Sequence, residues 1–267
     1  MPRKQAGAAS PDGSELPKLP GLLRELNLLT LADGLDELLR NAERTQPSYT
    51  DFLARGLAHE LAGRSERRLG RLLAAARLKD AKTIDDFDCS IRPKLSPKAL
   101  KELARCAFVE EGRNVLCLGN SSTGKTHIAK ALGRNACLLG KRTYFRVAID
   151  LLDELYTAQH DGTFRRVFGR YVRADLVILD ELGYAPIDKD RANLLFRLAS
   201  ARHDERRSMI VTSNTTFRRW GPLFPSEAQA VATVERLIDR ATILRFTGKG
   251  LRGPQEILGD KLDDDDD

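Results

Sequence analysis

Four residues in this sequence have types and spacings suited to handling a phosphate: Lys125, Thr126, Asp180 and Glu181. The first two close the stretch GNSSTGKT, which fits the pattern G-x-x-x-x-G-K-T. Gly119 and Gly124 allow backbone turns that aim the N–H groups of the loop inward, through Asn120, Ser121, Ser122 and Thr123, as a nest for an anion. A helix starting near Gly124 adds the positive end of its dipole. Lys125 can reach β- and γ-phosphates, and the Thr126 hydroxyl can coordinate Mg²⁺. At Ser122 many such loops carry another glycine; serine there tightens the loop without removing a ligand.

Asp180 and Glu181 end the run LVILDE. Four consecutive apolar residues suit a parallel strand covered on both faces. The carboxyl end of such a strand is where ligands bind in open α/β sheets. Asp180 can hold Mg²⁺ there, directly or through water. Glu181 is placed to orient and polarise an attacking water. The adjacent pair favours hydrolysis over phosphoryl transfer to a small acceptor. Asn214, after the run SMIVTS, is placed to sense a γ-phosphate from a neighbouring strand end, although asparagine is also an ordinary turn residue. Arg236 and Arg240 share a helix face at i, i+4 in VERLIDRATILRF. They read either as a finger for a neighbouring subunit's γ-phosphate or as two surface arginines.

The elements that position these residues are legible. Residues 114–118, 142–147, 176–179, 208–213 and 242–246 are strand-like and alternate with helical stretches. That alternation predicts a doubly wound parallel sheet of five strands. Before it, residues 20–79 read as helical, with Leu31, Leu35, Leu38, Leu39 and Ala42 at helical spacing. Ser48 and Asp51 form a capping box that opens a long helix. Ser96 and Pro97 are a second helix start, as N-cap and first-turn proline. Residues 80–97 read as a linker.

Net charge is +6, and the chain closes on five aspartates, so the body before them carries +11. A basic body suggests a polyanionic partner, nucleic acid first. The tail reads as a solubilising end or as a phosphate mimic. Arg64, Arg67, Arg68 and Arg71 follow i, i+3, i+4, i+7 on one helix face, with Glu66 the only acid over 64–79. This stripe fits duplex phosphate contacts; a solvated face or an acidic protein partner remain open readings. Arg165, Arg166, Arg170 and Arg173 form a second basic cluster, lining a DNA path or simply exposed. Cys89, Cys106, Cys117 and Cys137 are scattered, as buried free thiols would be. No stretch approaches a membrane span, and the polar N-terminus lacks a secretory signal's apolar core, so the cytoplasm is the expected compartment.

The ordered pieces GNSSTGKTH, VILDELGYAP, IVTSN, WG and the late ERL resemble the IstB-type transposition helper ATPases, relatives of the DnaC-type helicase loaders within the AAA+ class. LRELNLLTLADGLDELLRNAE, SYTDFLARGLAHELAGR and IDDFDCS extend the resemblance from about residue 20 to 250. It implies ATP with Mg²⁺, Lys125 and Thr126 as Walker A ligands, Asp180 and Glu181 as the Walker B pair, and Asn214 as sensor. Arg236 best matches the late arginine of that family, with Arg240 second. IDR replaces the histidine-containing ending more common after ERL. The implied fold is a P-loop AAA+ α/β domain with a small all-helical N-terminal domain and little or no C-terminal lid. Its parts would be a disordered leader (1–19), a helical DNA-binding or interaction domain (20–79), the linker (80–97), the ATPase (98–250) and the acidic tail (251–267). The implied function is an ATP-dependent helper that assembles on duplex DNA as a homo-oligomer and recruits or activates a transposase encoded nearby. A replicative helicase loader is the alternative. A small-molecule kinase is disfavoured by the Asp-Glu pair.

Overall fold

The computed structural model describes residues 18–90, 95–184, 186–216 and 220–248. The expected leader, apart from Lys18 and Leu19, and the acidic tail lie outside the described residues, as does any lid after residue 248. The chain divides into two compact units, residues 1–69 and 70–267.

The first unit is helical: α1 (Leu19–Glu25), α2 (Leu29–Asp33), α3 (Leu35–Thr45) and most of α4 (Tyr49–Ala76). Ser48 caps α4 as its spacing predicts, with the Asp51 amide donating to Ser48 Oγ at 3.1 Å. Leu23, Leu31, Ala32 and Leu35 make a small core. The division falls inside α4 rather than at the expected 79/80, for a packing reason. Ala76 and Leu78 are fully buried in the second unit, Leu78 beside Gly133.

The second unit runs α5 (Pro97–Ala104), α6 (Ala107–Glu110), β1 (Val115–Gly119), α7 (Lys125–Leu138), β2 (Thr143–Val147), α8 (Ala148–His160), α9 (Phe164–Val172), β3 (Leu176–Asp180), α10 (Lys189–Asp204), β4 (Ser208–Ser213), a 3₁₀ turn (Gly221–Leu223), α11 (Glu227–Ile238) and β5 (Thr242–Phe246). All five expected strands form, and every pairing is parallel. Their order is β2-β3-β4-β1-β5. Each position of β3 and β4 is buried, as continuous apolar runs between two helical layers require. Ile178 and Leu179 of β3 and Ile210 and Val211 of β4 are closed from solvent, with Leu194, Leu195 and Leu198 of α10 also in the interior. The order places β4 between the strand ending in Asp180 and the strand feeding the loop at Gly119.

One buried cation braces this core. Arg202, 0% exposed, donates to the carbonyls of Tyr171, Val172, Ala174, Asp175 and Ser208. Burial pushes its guanidinium down to about 9. It stays charged at neutral pH, with the Asp175 and Glu205 carboxylates opposing that shift. It thereby satisfies the end of α9 and the starts of β3 and β4 at once. Among the described residues, no helix is long and apolar enough to cross a membrane.

Candidate nucleotide site

The loop after β1 turns through residues that need unusual backbone angles. Gly119 has φ +149°, and a Cβ there would run into the Phe246 carbonyl. Gly124, the N-cap of α7 at φ +97°, would press a Cβ into the Phe87 ring. Ser122 sits at φ +58°, the left-handed region that glycine enters without cost. The serine therefore stores local strain; its effect is conformational rather than a loss of ligand. Lys125 is 8% exposed and donates Nζ to the carbonyls of Gly119 (2.8 Å) and Asn120 (2.6 Å). Burial pushes its pKa down.

The register pairing Leu179 with Val211 brings Asp180 level with Thr212. Asp180, 3% exposed, accepts from Thr126 Oγ1 at 2.9 Å and from Thr212 Oγ1 at 2.6 Å, both on Oδ1. The Glu181 amide donates to the same Thr212 hydroxyl at 2.9 Å. Glu181 itself is left-handed, φ +60°. Asn214 Oδ1 is buried with no donor among the described residues. Together Ser121–His127, Lys130, Glu181, Tyr184, Thr212 and Asn214 line a cavity of about 620 Å³ with Asp80, Ala81 and Lys82. The expected phosphate-handling residues thus converge. Thr126 and Asp180 offer hard oxygens within hydrogen-bond reach of each other, a donor set that fits Mg²⁺ completed by phosphate oxygens.

Two contributors were not anticipated. Thr212 is one; strand alternation puts it on the same side as Asn214, which was the available signal. The other is residues 80–88, read as a linker but packed as a strap. His127 Nε2 donates to the Thr83 carbonyl at 2.8 Å. Phe87 lies edge-on to His127 and Phe246, with ring centroids 5.5 and 6.4 Å apart. Part of the expected linker, residues 91–94, lies outside the described residues.

Arg236 and Arg240 lie elsewhere. Arg236 is exposed in the last turn of α11; Arg240, at φ +55°, sits in the turn leading to β5. That turn is at the amino edge of the parallel sheet, whereas the loop and Asp180 occupy the carboxyl edge. Neither arginine lines the nucleotide cavity. Arg240 shares a 280 Å³ surface cavity with His203, Arg206 and Asp239, and His203 Nε2 pairs with Asp239 at 2.8 Å.

The expected DNA contacts divide. Glu60, 2% exposed, binds Arg64 at 2.8 Å and Arg67 at 3.2 Å. Arg64 also donates to the Asn27 carbonyl and Arg67 to Thr30 Oγ1. These two are tied into the first unit rather than presented as an unpaired stripe, because Glu60 lies one turn before the window 64–79. Arg68 and Arg71 are exposed. In the second cluster, Arg170 pairs with Glu154 and lies 5.0 Å from the Tyr171 ring centroid. Its guanidinium is committed to that contact. Arg165 and Arg166 are exposed and make no ion pair among the described residues. Cys106, Cys117 and Cys137 are buried free thiols, and burial pushes Cys117 up to about 12.

A family model described as "IstB-like ATP binding protein" matches residues 21–257. The chain is 36% identical over 235 residues to a protein named as an ATP-binding protein of insertion sequence IS21 from Pseudomonas aeruginosa, covering 88% of each. A counterpart of insertion sequence IS5376 from Geobacillus stearothermophilus is 30% identical, over 90% of this chain and 95% of its own. Among solved structures, the DnaC helicase loader superposes with TM-score 0.52 at 20% identity, over 65% of this chain and 100% of that one. AMPPCP-bound DnaA from Aquifex aeolicus gives 0.54 at 18%, over 63% and 51%. These two likenesses show the fold, a P-loop AAA+ core.

Proposed function

The chain belongs to the family of IstB-like ATP-binding proteins, and from that premise we propose that it is an ATP-dependent, DNA-binding helper of transposition. In this reading it is a Mg²⁺-dependent ATPase of the cytoplasm that assembles on duplex DNA and recruits or activates a partner transposase. Hydrolysis controls the assembly. The observation that carries the reading is the convergence of Lys125, Thr126, Glu181 and Asn214 on one cavity, with Asp180 bonded to Thr126 beside it.

The chemistry follows from those groups. The loop amides and Lys125 take the phosphates, Lys125 exchanging its two loop carbonyls for phosphate oxygens. Thr126 and Asp180 would hold Mg²⁺, which when bound neutralises charge on the β- and γ-phosphate oxygens. The Glu181 carboxylate orients and polarises the water that attacks the γ-phosphorus. Asn214, on the cavity wall, supplies its side-chain N–H as a donor at the γ-phosphate end. Arg236, or second Arg240, is too far round the sheet to serve its own nucleotide and acts on that of an adjoining subunit in the homo-oligomer.

Support for the DNA partner is the basic body and the exposed Arg165 and Arg166. Support for the transposase partner is that the relatives are named for insertion sequences. The test is sedimentation and electron microscopy of the purified protein on long duplex DNA, with ATP, with ADP and with no nucleotide. Ordered assemblies with ATP alone, lost in Lys125→Ala, are expected. Assembly indifferent to nucleotide, or no DNA association even at low salt, would overturn the reading.

A further inference from the structure

We infer that Thr212 is a positioning residue that fixes the Asp180 carboxylate and the backbone of Glu181 in one geometry, and so sets where the Glu181 carboxylate meets water. The inference rests on the hydrolytic reading above.

The strand order is the first argument. Because β4 lies between β3 and β1, its carboxyl end sits between the strand that delivers Asp180 and the loop that delivers Thr126. Thr212 is 1% exposed at that point, so no solvent competes for its hydroxyl. The hydroxyl has a single proton. It goes to Asp180 Oδ1, an oxygen that can only accept, at 2.6 Å. A lone pair is thereby left facing the Glu181 amide, which donates at 2.9 Å. The Thr212 carbonyl accepts the next amide, that of Leu182, also at 2.9 Å.

One residue therefore pins two consecutive amides of the turn, and the turn is strained. A left-handed conformation is unfavourable for a non-glycine residue. It persists only where surrounding contacts over-determine it. At Glu181 those contacts are the Thr212 hydroxyl and carbonyl. Thr126 shares Oδ1 of Asp180 in the same cluster. When Thr126 turns to a ligand, the Thr212 bond is what keeps the carboxylate in place. Losing the Thr212 hydroxyl leaves the Glu181 amide without an acceptor and frees the turn to relax, carrying the side chain with it.

Thr212→Val keeps the shape and removes donor and acceptor; Thr212→Ser keeps both. Amide exchange is read by NMR in the nucleotide-free full chain, followed by ATP affinity and steady-state hydrolysis. In Thr212→Val, exchange at Glu181 should quicken at least about tenfold, with Leu182 much less affected. Its kcat should fall about 10–100-fold, as losses of outer-shell partners do. Thr212→Ser should stay within about threefold of the parent in every readout. Should Thr212→Val fail to fold, Thr212→Ala carries the same expectations. An unchanged kcat, an equal loss in the valine and serine variants, or a lower kcat with unchanged exchange at Glu181 would overturn the assignment. Since exchange is read without nucleotide, an inactive parent protein would sink the hydrolytic reading while leaving the clamp itself decided.

Discussion

Glu60 in the first unit and Asp180 in the second are both buried carboxylates at the centre of hydrogen-bond networks, and their partners differ in kind. Glu60 receives the Leu31 amide and two guanidinium groups, those of Arg64 and Arg67. Burial alone would push its carboxyl up; the Leu31 amide and Arg64 outweigh that and hold it at about 2, against the ordinary 4.5. Asp180 receives only two neutral hydroxyls, both on Oδ1, and no described donor reaches Oδ2. A carboxylate whose charge is already met by guanidinium groups ties helices together. One hydrogen-bonded only by hydroxyls suits, in the function proposed here, a cation that arrives with a ligand. The same residue class therefore serves architecture in one unit and, in the function proposed here, chemistry in the other.

The largest expected effect tests the chemical side. Glu181→Gln should bind ATP normally and lose about 10²–10⁴-fold in turnover, read by isothermal titration and phosphate release. Undiminished hydrolysis would remove Glu181 from its role. Next comes the architectural side. Because the folded Glu60 carboxyl lies below its ordinary value, the stability it contributes is full above about 4.5. That contribution is lost as pH falls towards about 2. Hydrogen exchange across α2 and α4 in the full chain should show local opening over that window. Glu60→Gln should open at neutral pH and flatten the dependence; a flat parent profile would break the comparison.

A smaller effect concerns DNA. The double variant Arg165→Gln, Arg166→Gln should remain folded and weaken duplex binding. The slope of log affinity against log salt should shrink by up to about one for each phosphate left without its arginine. By contrast, Arg64→Gln with Arg67→Gln should lower the melting temperature of the first unit before any DNA effect is read, since Glu60 loses its cations. Equal stability in that pair would return both arginines to the exposed stripe. The smallest expected effect is Ser122→Gly. Relief of the left-handed serine should stabilise the nucleotide-free second unit by up to about 1 kcal/mol in urea unfolding.

How much of this was legible in the sequence follows the range of the interactions. Five strands, the loop at Gly119–Thr126 and the Asp180–Glu181 pair are local patterns, so periodicity and spacing suffice for them. The role of Thr212 is set by register: nothing within its own strand says that Asp180 will lie beside it. The Arg64 and Arg67 partner lies outside the basic stretch, at Glu60, and a charge count over 64–79 cannot include it. Arg170 looked like its exposed neighbours until α9 met Glu154 of α8. The strap over residues 80–88 has the composition of a linker, and its packing is set by His127 and Phe246 from distant elements. Ser122 showed as a departure from pattern, while its cost became clear only from the backbone angle.

The guanidinium of Arg202, sealed inside and met by five carbonyls rather than by an acid, has a consequence for how the second unit responds to its medium. Dissolved ions screen charges they can approach, over distances of about 8–10 Å at ordinary ionic strength. They cannot approach this one, and its hydrogen-bond partners are fixed carbonyl dipoles that a counterion does not replace. The joint between α9, β3 and β4 is thus electrostatic in origin yet insulated from the electrolyte. A salt titration that weakens the exposed ion pairs leaves this brace intact.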